Sequence, residues 1–333
     1  MQKLTVWFMG LWCCGWLWLM LPITTDANAA GWELQPDGQY RLDGDTVRVT
    51  VDPLHGGRIT DFRLWQDSLW GDNILLPDTV EPETYGSTFW LSPQSNWNWP
   101  PDATIDRLPY KAIVTGETLT LESGVSPTLG IQVSKHIRPE GNGIRLDYDI
   151  HPVSQVNPAS PLFYAPWEVS RVAGSGLTLF PVGSGLSAIQ GFDPPPILQA
   201  QGIAVWDHQA QQITAITEPR DQKLFADGAG GWLAHVDGGV LFVKQFPDLP
   251  PDAIAPGESE IEVYATASQR YLELEVQGPY DLLREGTPQT WTVQWQLRSL
   301  PPALVPMANN PQFLDWIRHV VKGSHEKNYS LKG

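Results

Sequence analysis

Eight short runs of this sequence alternate apolar and polar residues, and a chain written that way is committed to sheets. They are "DTVRVTV" (45–51), "GRITDFRLW" (57–65), "ETLTLES" (117–123), "IQVSKHI" (131–137), "GIRLDYDI" (143–150), "SEIEVYAT" (259–266), "YLELEV" (271–276) and "WTVQWQL" (291–297). A period of two places every second side chain on one face of a strand, and Gly, Pro, Asp or Asn bounds these runs. Further strands are expected at 202–206, 213–217, 231–236 and 239–245, with Asp237, Gly238 and Gly239 turning a hairpin between the last two. The chain is therefore all-β, with more than a dozen strands.

Helical periodicity is confined to the end, in "NPQFLDWIRHVVKG" (310–323). Asn310 is placed to cap, Pro311 to open the first turn and Gly323 to stop the helix. Phe313, Ile317 and Val320, with Trp316 beside them, form one apolar face that would dock on the body. No repeat of 20 to 50 residues and no Gly/Ser linker divides the chain. One domain is expected over 30–305, followed by the helix and a frayed tail over 306–333. Thirty prolines and thirty glycines imply many turns and long loops, which is where binding residues tend to sit.

The first residues read as a secretory signal peptide: a basic start "MQK", an apolar run, and Ala27-Asn28-Ala29 as the cleavage site. Residues 1–29 would then be removed, and the protein would be secreted or periplasmic with no integral membrane span. An uncleaved membrane anchor is the competing possibility, because the apolar run approaches spanning length. Cys13 and Cys14 are the only cysteines and both lie in this leader, which excludes disulfides, thiolate zinc sites and cysteine nucleophiles from the remainder. The leader holds one basic and one acidic residue, Lys3 and Asp26, so the formal net charge stays at −16 without it. A charge of that sign disfavours nucleic acid and anionic membranes as partners. The sequence leaves the oligomeric state open.

There is no G-x-S-x-G, P-loop, H-E-x-x-H or EF-hand loop, and neither metal nor cofactor is expected. Three other constellations remain. In "YLELEVQ" (271–277), Glu273 and Glu275 project from one strand face while Leu272, Leu274 and Val276 fill the other. In "FYAPWEVSRV" (163–172), Trp167, Glu168 and Arg171 suit either an aromatic platform beside an ion pair or a structural Glu–Arg pair under a core tryptophan. Lys223, Asp227, Trp232 and His235 cluster near a Gly-rich turn in "KLFADGAGGWLAH" (223–235). To these is added "STFWLSPQSNWNWPP" (87–101), whose Gln94, Trp97 and Trp99 offer aromatic faces and an amide without any charge. Sugars present C–H faces to such rings and hydroxyls to amides, Arg and carboxylates.

Four segments carry a resemblance. "VTVDPLHGGRITDFRL" (49–64), "YGSTFWLSPQSNWNWPP" (85–101), "APWEVSRV" (165–172) and "YLELEVQGPYDLLREGTPQTWTVQWQLRSL" (271–300) resemble a largely uncharacterised bacterial family of the galactose mutarotase-like superfamily. The resemblance implies a supersandwich, a large antiparallel β-sandwich whose concave face binds a saccharide. In aldose 1-epimerases of that superfamily a late Glu in a Leu-Glu-x-Gln pattern is the general base; "LEVQ" here makes Glu275 its counterpart, with Glu273 as neighbour. Those enzymes also use a histidine to protonate the ring oxygen, and neither "SPQSNWNWPP" nor "APWEVSRV" contains one. Arg171, Lys223 or His235 would have to stand in. The implied function is a carbohydrate-binding protein outside the cytoplasm, as an aldose 1-epimerase-like isomerase with Glu275 as base. A non-catalytic carbohydrate-binding module or a structural envelope protein is the alternative. Its expected sugar wall is Gln94, Trp97, Trp99, Trp167, Glu168, Lys223 and His235.

Overall fold

The computed structural model describes residues 31–153, 162–183, 185–189, 192–211, 220–268 and 270–329. The expected leader and the strand expected at 213–217 lie outside the described residues. Among those residues the chain builds two large sheets. The first has the order Trp32–Leu34, Tyr40–Asp43, Val47–Asp52, Arg58–Gln66, Ser87–Ser92, Phe163–Ala173, Tyr271–Gln277, Ile261–Ala265, Gln222–Ala226 and Leu186–Ala188. Two short strands, Leu69–Trp70 and Asp281–Leu282, pair at its sides. The second runs Ile197–Ala200, Ile203–Asp207, Leu177–Pro181, Trp232–Asp237, Val240–Gln245, Gln289–Ser299, Gly143–Pro152, Ile131–Glu140, Thr118–Glu122 and Lys111–Thr115.

The alternation decides where the core lies. Val47, Val49 and Val51, Leu272, Leu274 and Val276, and Val293, Trp295 and Leu297 all join one buried cluster between the sheets. Aromatic rings fill its middle: Phe62 meets Trp295 at 5.5 Å and Phe242 at 5.9 Å between ring centres. The hairpin expected at Asp237–Gly239 forms, with Gly238 and Gly239 both at positive φ, 54° and 79°. Two successive left-handed residues match the twist of the flanking strands, and glycine adopts them without a Cβ penalty.

Two strands central to the first sheet do not alternate in sequence, and both faces explain why. Ser87–Ser92 is buried at all six positions, and Phe163–Ala173 at every position between its ends. A strand covered on both sides has no solvent face to keep polar. The outer face of this sheet therefore lies under further structure.

The C-terminal helix, Pro311–Tyr329, docks on the body by its apolar face, against the outer face of the second sheet. Asn310 caps it, its side-chain oxygen accepting from Gln312 N at 3.1 Å. Phe313 and Ile317 are fully buried against Leu179, Val205, Ala234 and Val243, with Trp316 and Val320 half-buried beside them. Gly323 does not stop the helix, which continues to Tyr329. A glycine inside a helix costs only about 1 kcal/mol, and its neighbours here leave open space around it.

Candidate functional site

Three rungs of side chains cross the outer face of the first sheet, set by strand register. Arg171 lies opposite Glu273, Glu273 opposite Tyr264, and Tyr264 opposite Lys223. On the next rung Val169, Glu275, Glu262 and Phe225 follow in the same order. The third carries Trp90, Trp167 and Gln277. Residues from four distant parts of the chain thus meet because alternate side chains on a strand share a face.

Two glutamates opposite one another on neighbouring strands repel unless a cation intervenes. Lys223 supplies it, its Nζ lying 2.7 Å from Glu262 Oε2 and 3.5 Å from Glu275 Oε1. Glu262 Oε1 also accepts from Gln277 Nε2 at 2.7 Å and Ser259 N at 3.2 Å. Arg171 Nε donates to Glu273 Oε1 at 2.9 Å, and its guanidinium stacks 5.1 Å over Trp90. The Lys223 ammonium sits 5.5 Å from the Trp167 ring centre.

Burial pushes the Glu275 carboxyl up to about 8 against the pull of Lys223. Burial pushes Glu262 up as well, with Lys223 opposing the shift and Glu258 adding to it. Burial opposes the Lys223 charge, yet the two glutamates outweigh it and hold that ammonium above the usual lysine range. Among the described residues, Trp167 Nε1, Arg171 Nη1 and Gln277 Oε1 make no hydrogen bond, and the Glu275 carboxyl is met by Lys223 alone, at 3.5 Å. Buried polar atoms are ordinarily satisfied, so these adjoining rungs carry hydrogen-bonding capacity that a ligand could use.

The tryptophan-rich segment closes over this face. Trp97 packs on Trp90, Trp167 and Val169, and its indole donates to Leu91 O at 2.6 Å. Gln94 N donates to Glu258 Oε1 at 2.7 Å, tying the segment to the edge of the second rung. Glu262 and Glu275 have no exposed surface. A cleft of about 340 Å³ opens at the Phe225 end of that rung, lined by Ser187, Phe225, Asp227, Glu258 and Glu260 among others. A wider groove of about 720 Å³ crosses the far half of the same sheet, over Arg41, Arg48, Asp61 and Arg63. Its arginines are already paired, Arg48 with Asp43 and Arg63 with Asp61.

Of the residues expected from sequence, the sheet brings together Glu275, Glu273, Arg171, Trp167, Trp97 and Lys223. Gln94 joins through its backbone, and Trp99 lies outermost, 63% exposed and 5.6 Å from Trp90 between ring centres. Glu168 is elsewhere. One residue from Trp167 on a strand, it turns inward, where its Oε2 lies 2.8 Å from Lys244 Nζ and its Oε1 accepts from the Ser87 and Ser170 hydroxyls at 2.6 and 2.7 Å. Arg171 is on the opposite face and pairs with Glu273 instead, so the expected Glu168–Arg171 pair does not form.

His235 also misses the site. It shares a face with Phe242, away from the Ala234 and Val236 face that meets the C-terminal helix, and is buried between the sheets beside Thr178 at 3.1 Å and the His208 ring. Among the described residues no histidine stands on the three rungs. Glu262, Glu258 and Trp90 were not anticipated. Glu262 was visible as the outward residue of "SEIEVYAT", but its pairing with Glu275 belongs to the strand order, which alternation does not reveal.

Asp227, Asp248 and Glu260, at the cleft, place carboxylate oxygens within 4.8 Å of one another. Glu260 is already held by Gly228 N and Leu249 N, both at 2.9 Å, and burial pushes it up to about 8, which works against an anionic ligand set near neutral pH. Chemically, the rungs offer a cation-bridged carboxyl pair, unpaired donors and acceptors, and a wall of indole rings.

Residues 38–298 match the model of a protein family described as "Domain of unknown function (DUF4380)". No curated protein sequence matches the chain. Among solved structures, a galactose mutarotase-like protein from Lactobacillus casei is similar at 9% identity and a TM-score of 0.53, over 78% of this chain and all of that one (100%). A galactose mutarotase related enzyme from Lactobacillus acidophilus is similar at 7% identity and a TM-score of 0.51, over 80% of this chain and 99% of that one. A Synechocystis protein is similar at 15% identity and a TM-score of 0.53, over 78% and 96%. The likeness is one of fold, an antiparallel galactose mutarotase-like β-sandwich. No helix among the described residues is long and apolar enough to cross a membrane.

Proposed function

The chain belongs to the DUF4380 family, and we propose that it binds a saccharide on the outer face of its first sheet and opens the sugar ring there, interconverting the anomers. The observation that supports this most is the set of unpaired atoms on the rungs. Trp167 Nε1 and Arg171 Nη1 are donors, Gln277 Oε1 and the Glu275 carboxyl are acceptors or exchangeable acids, and an indole wall stands beside them. A polyol matches that mixture, with hydroxyls for the polar atoms and C–H faces for the rings. Glu275 is the carboxyl that exchanges a proton with the sugar, and Lys223 stabilises the charge that remains. Gln94, Trp97 and Trp99 form the outer wall and Glu273 fixes Arg171.

Residues 93–101 would lift from Trp167 to admit the sugar beside the indole rings, breaking the Gln94–Glu258 contact. The fold relatives from both Lactobacillus species are named for galactose mutarotase, which agrees with an aldose as the ligand class. The leader-like start favours action outside the cytoplasm. Saturation-transfer NMR against a panel of aldoses tests binding: one or more sugars should receive saturation from wild type and not from Trp167→Ala. If no aldose does, the rungs belong to the fold alone, the alternative that the full burial of Glu262 and Glu275 would then favour.

A further inference from the structure

Resting on that proposed function, we infer that Glu262 is a second proton-transferring residue, and that Glu262 and Glu275 share one proton, held on Glu275 in the resting protein. The charge count on the rungs leads there. Arg171 is occupied by Glu273 at 2.9 Å, leaving Lys223, among the described residues, as the one cation paired with two carboxyls that have no exposed surface. If both ionise, the buried group carries a net negative charge; with one proton it is neutral. Isolated buried charge is expensive, so the protonated form is favoured.

Hydrogen bonding decides which carboxyl holds the proton. Glu262 pairs with Lys223 at 2.7 Å and accepts from Gln277 Nε2 at 2.7 Å and Ser259 N at 3.2 Å, three contacts that favour the carboxylate against the opposing pull of Glu258. Glu275 is met by Lys223 alone, and at the longer distance of 3.5 Å. The other charged or titratable groups around the pair are Glu258 beside Glu262, Glu273 and Arg171 on the adjoining rung, Tyr264 between Glu273 and Lys223, and Lys244 from beneath the sheet. None of them donates to Glu275.

This supplies the acid that no histidine provides and reverses the role implied for Glu275 by resemblance. Glu262 takes the proton from the anomeric hydroxyl, the ring C–O bond breaks, and Glu275 gives its proton to the departing ring oxygen. The products are the open-chain aldehyde sugar, a protonated Glu262 and an ionised Glu275. After rotation about the bond next to the aldehyde carbon, Glu275 takes the proton back from the hydroxyl as it attacks, and Glu262 returns its own to the new anomeric oxygen. Protons and electrons balance, and no other reactant is required.

Infrared spectroscopy of the ligand-free protein tests the shared proton without any sugar. Wild type at neutral pH should show a protonated-carboxyl band at the high-frequency end, as befits a carboxyl met by Lys223 alone, at 3.5 Å. That band should disappear in Glu275→Gln and also in Glu262→Gln, where Lys223 has one carboxylate left and the remaining glutamate ionises. A high-frequency band lost in one variant alone, or no high-frequency band in wild type, would overturn the inference while leaving sugar binding intact; Glu260, hydrogen-bonded by Gly228 N and Leu249 N, absorbs lower and is untouched by either variant. For the catalytic role, Glu262→Gln should slow anomer exchange by on the order of 10²–10⁴-fold, as Glu275→Gln does. Full activity in Glu262→Gln would overturn it.

Discussion

Replacing Glu275 with glutamine should make the protein more stable near neutral pH. A carboxyl whose pKa rises on folding contributes stability that is fully present below its unfolded pKa and lost as pH climbs through its folded one. For Glu275 those limits are 4.5 and about 8. Each unit between them is worth about 1.4 kcal/mol, so wild type gives up about 3 kcal/mol by pH 7 and about 5 kcal/mol above pH 8. Glutamine copies the shape of the protonated acid and cannot ionise, while Lys223 keeps Glu262 at 2.7 Å. The variant should therefore match wild type at pH 4.5, gain on it steadily up to pH 8, and run parallel beyond. Urea unfolding of both proteins from pH 4.5 to 9 measures the difference directly. For a domain of this size about 3 kcal/mol corresponds to a melting shift of roughly five degrees. Parallel curves over the whole range, or a variant less stable at pH 7, would show that Glu275 ionises normally and would refute the burial argument.

Glu168→Met should leave Lys244 buried without its carboxylate and cost about 3–5 kcal/mol in chemical denaturation, whereas Glu168→Met with Lys244→Met should recover most of it. Trp97→Ala should uncover Trp167 and Trp90, seen as stronger acrylamide quenching of tryptophan emission with the strand signature in circular dichroism unchanged. His208 and His235 have pKa values pushed down by burial, His235 to about 4 from 6.5, so the unfolded chain takes up protons first. Stability from these groups is present above pH 6.5 and lost as pH falls toward 4, by about 3 kcal/mol for His235. Unfolding of His235→Gln across that range should show a shallower acid loss.

The strands that face core on one side and solvent or the rungs on the other were legible as alternation, and the hairpin at Gly238 and Gly239 and the cap at Asn310 as local chemistry. Ser87–Ser92 and Phe163–Ala173 escaped because both of their faces are buried, and period-two reading depends on one face staying polar. That omission carried the error at Glu168: in a segment not recognised as a strand, Trp167, Glu168 and Arg171 look like neighbours, whereas the pleat sends Glu168 to Lys244 and the other two outward. Glu273 and Glu275 were found because they share one strand. Glu262 and Lys223 complete the site from strands ordered by long-range pairing, for which no local pattern exists.

Two-dimensional exchange NMR on an equilibrated aldose identified by binding reads the proposed chemistry most directly. Wild type should accelerate exchange between the α and β anomer resonances, and Glu275→Gln and Glu262→Gln should each return it to the rate of the sugar alone. A bound aldose whose anomers exchange no faster with wild type than in buffer would contradict ring opening at this site.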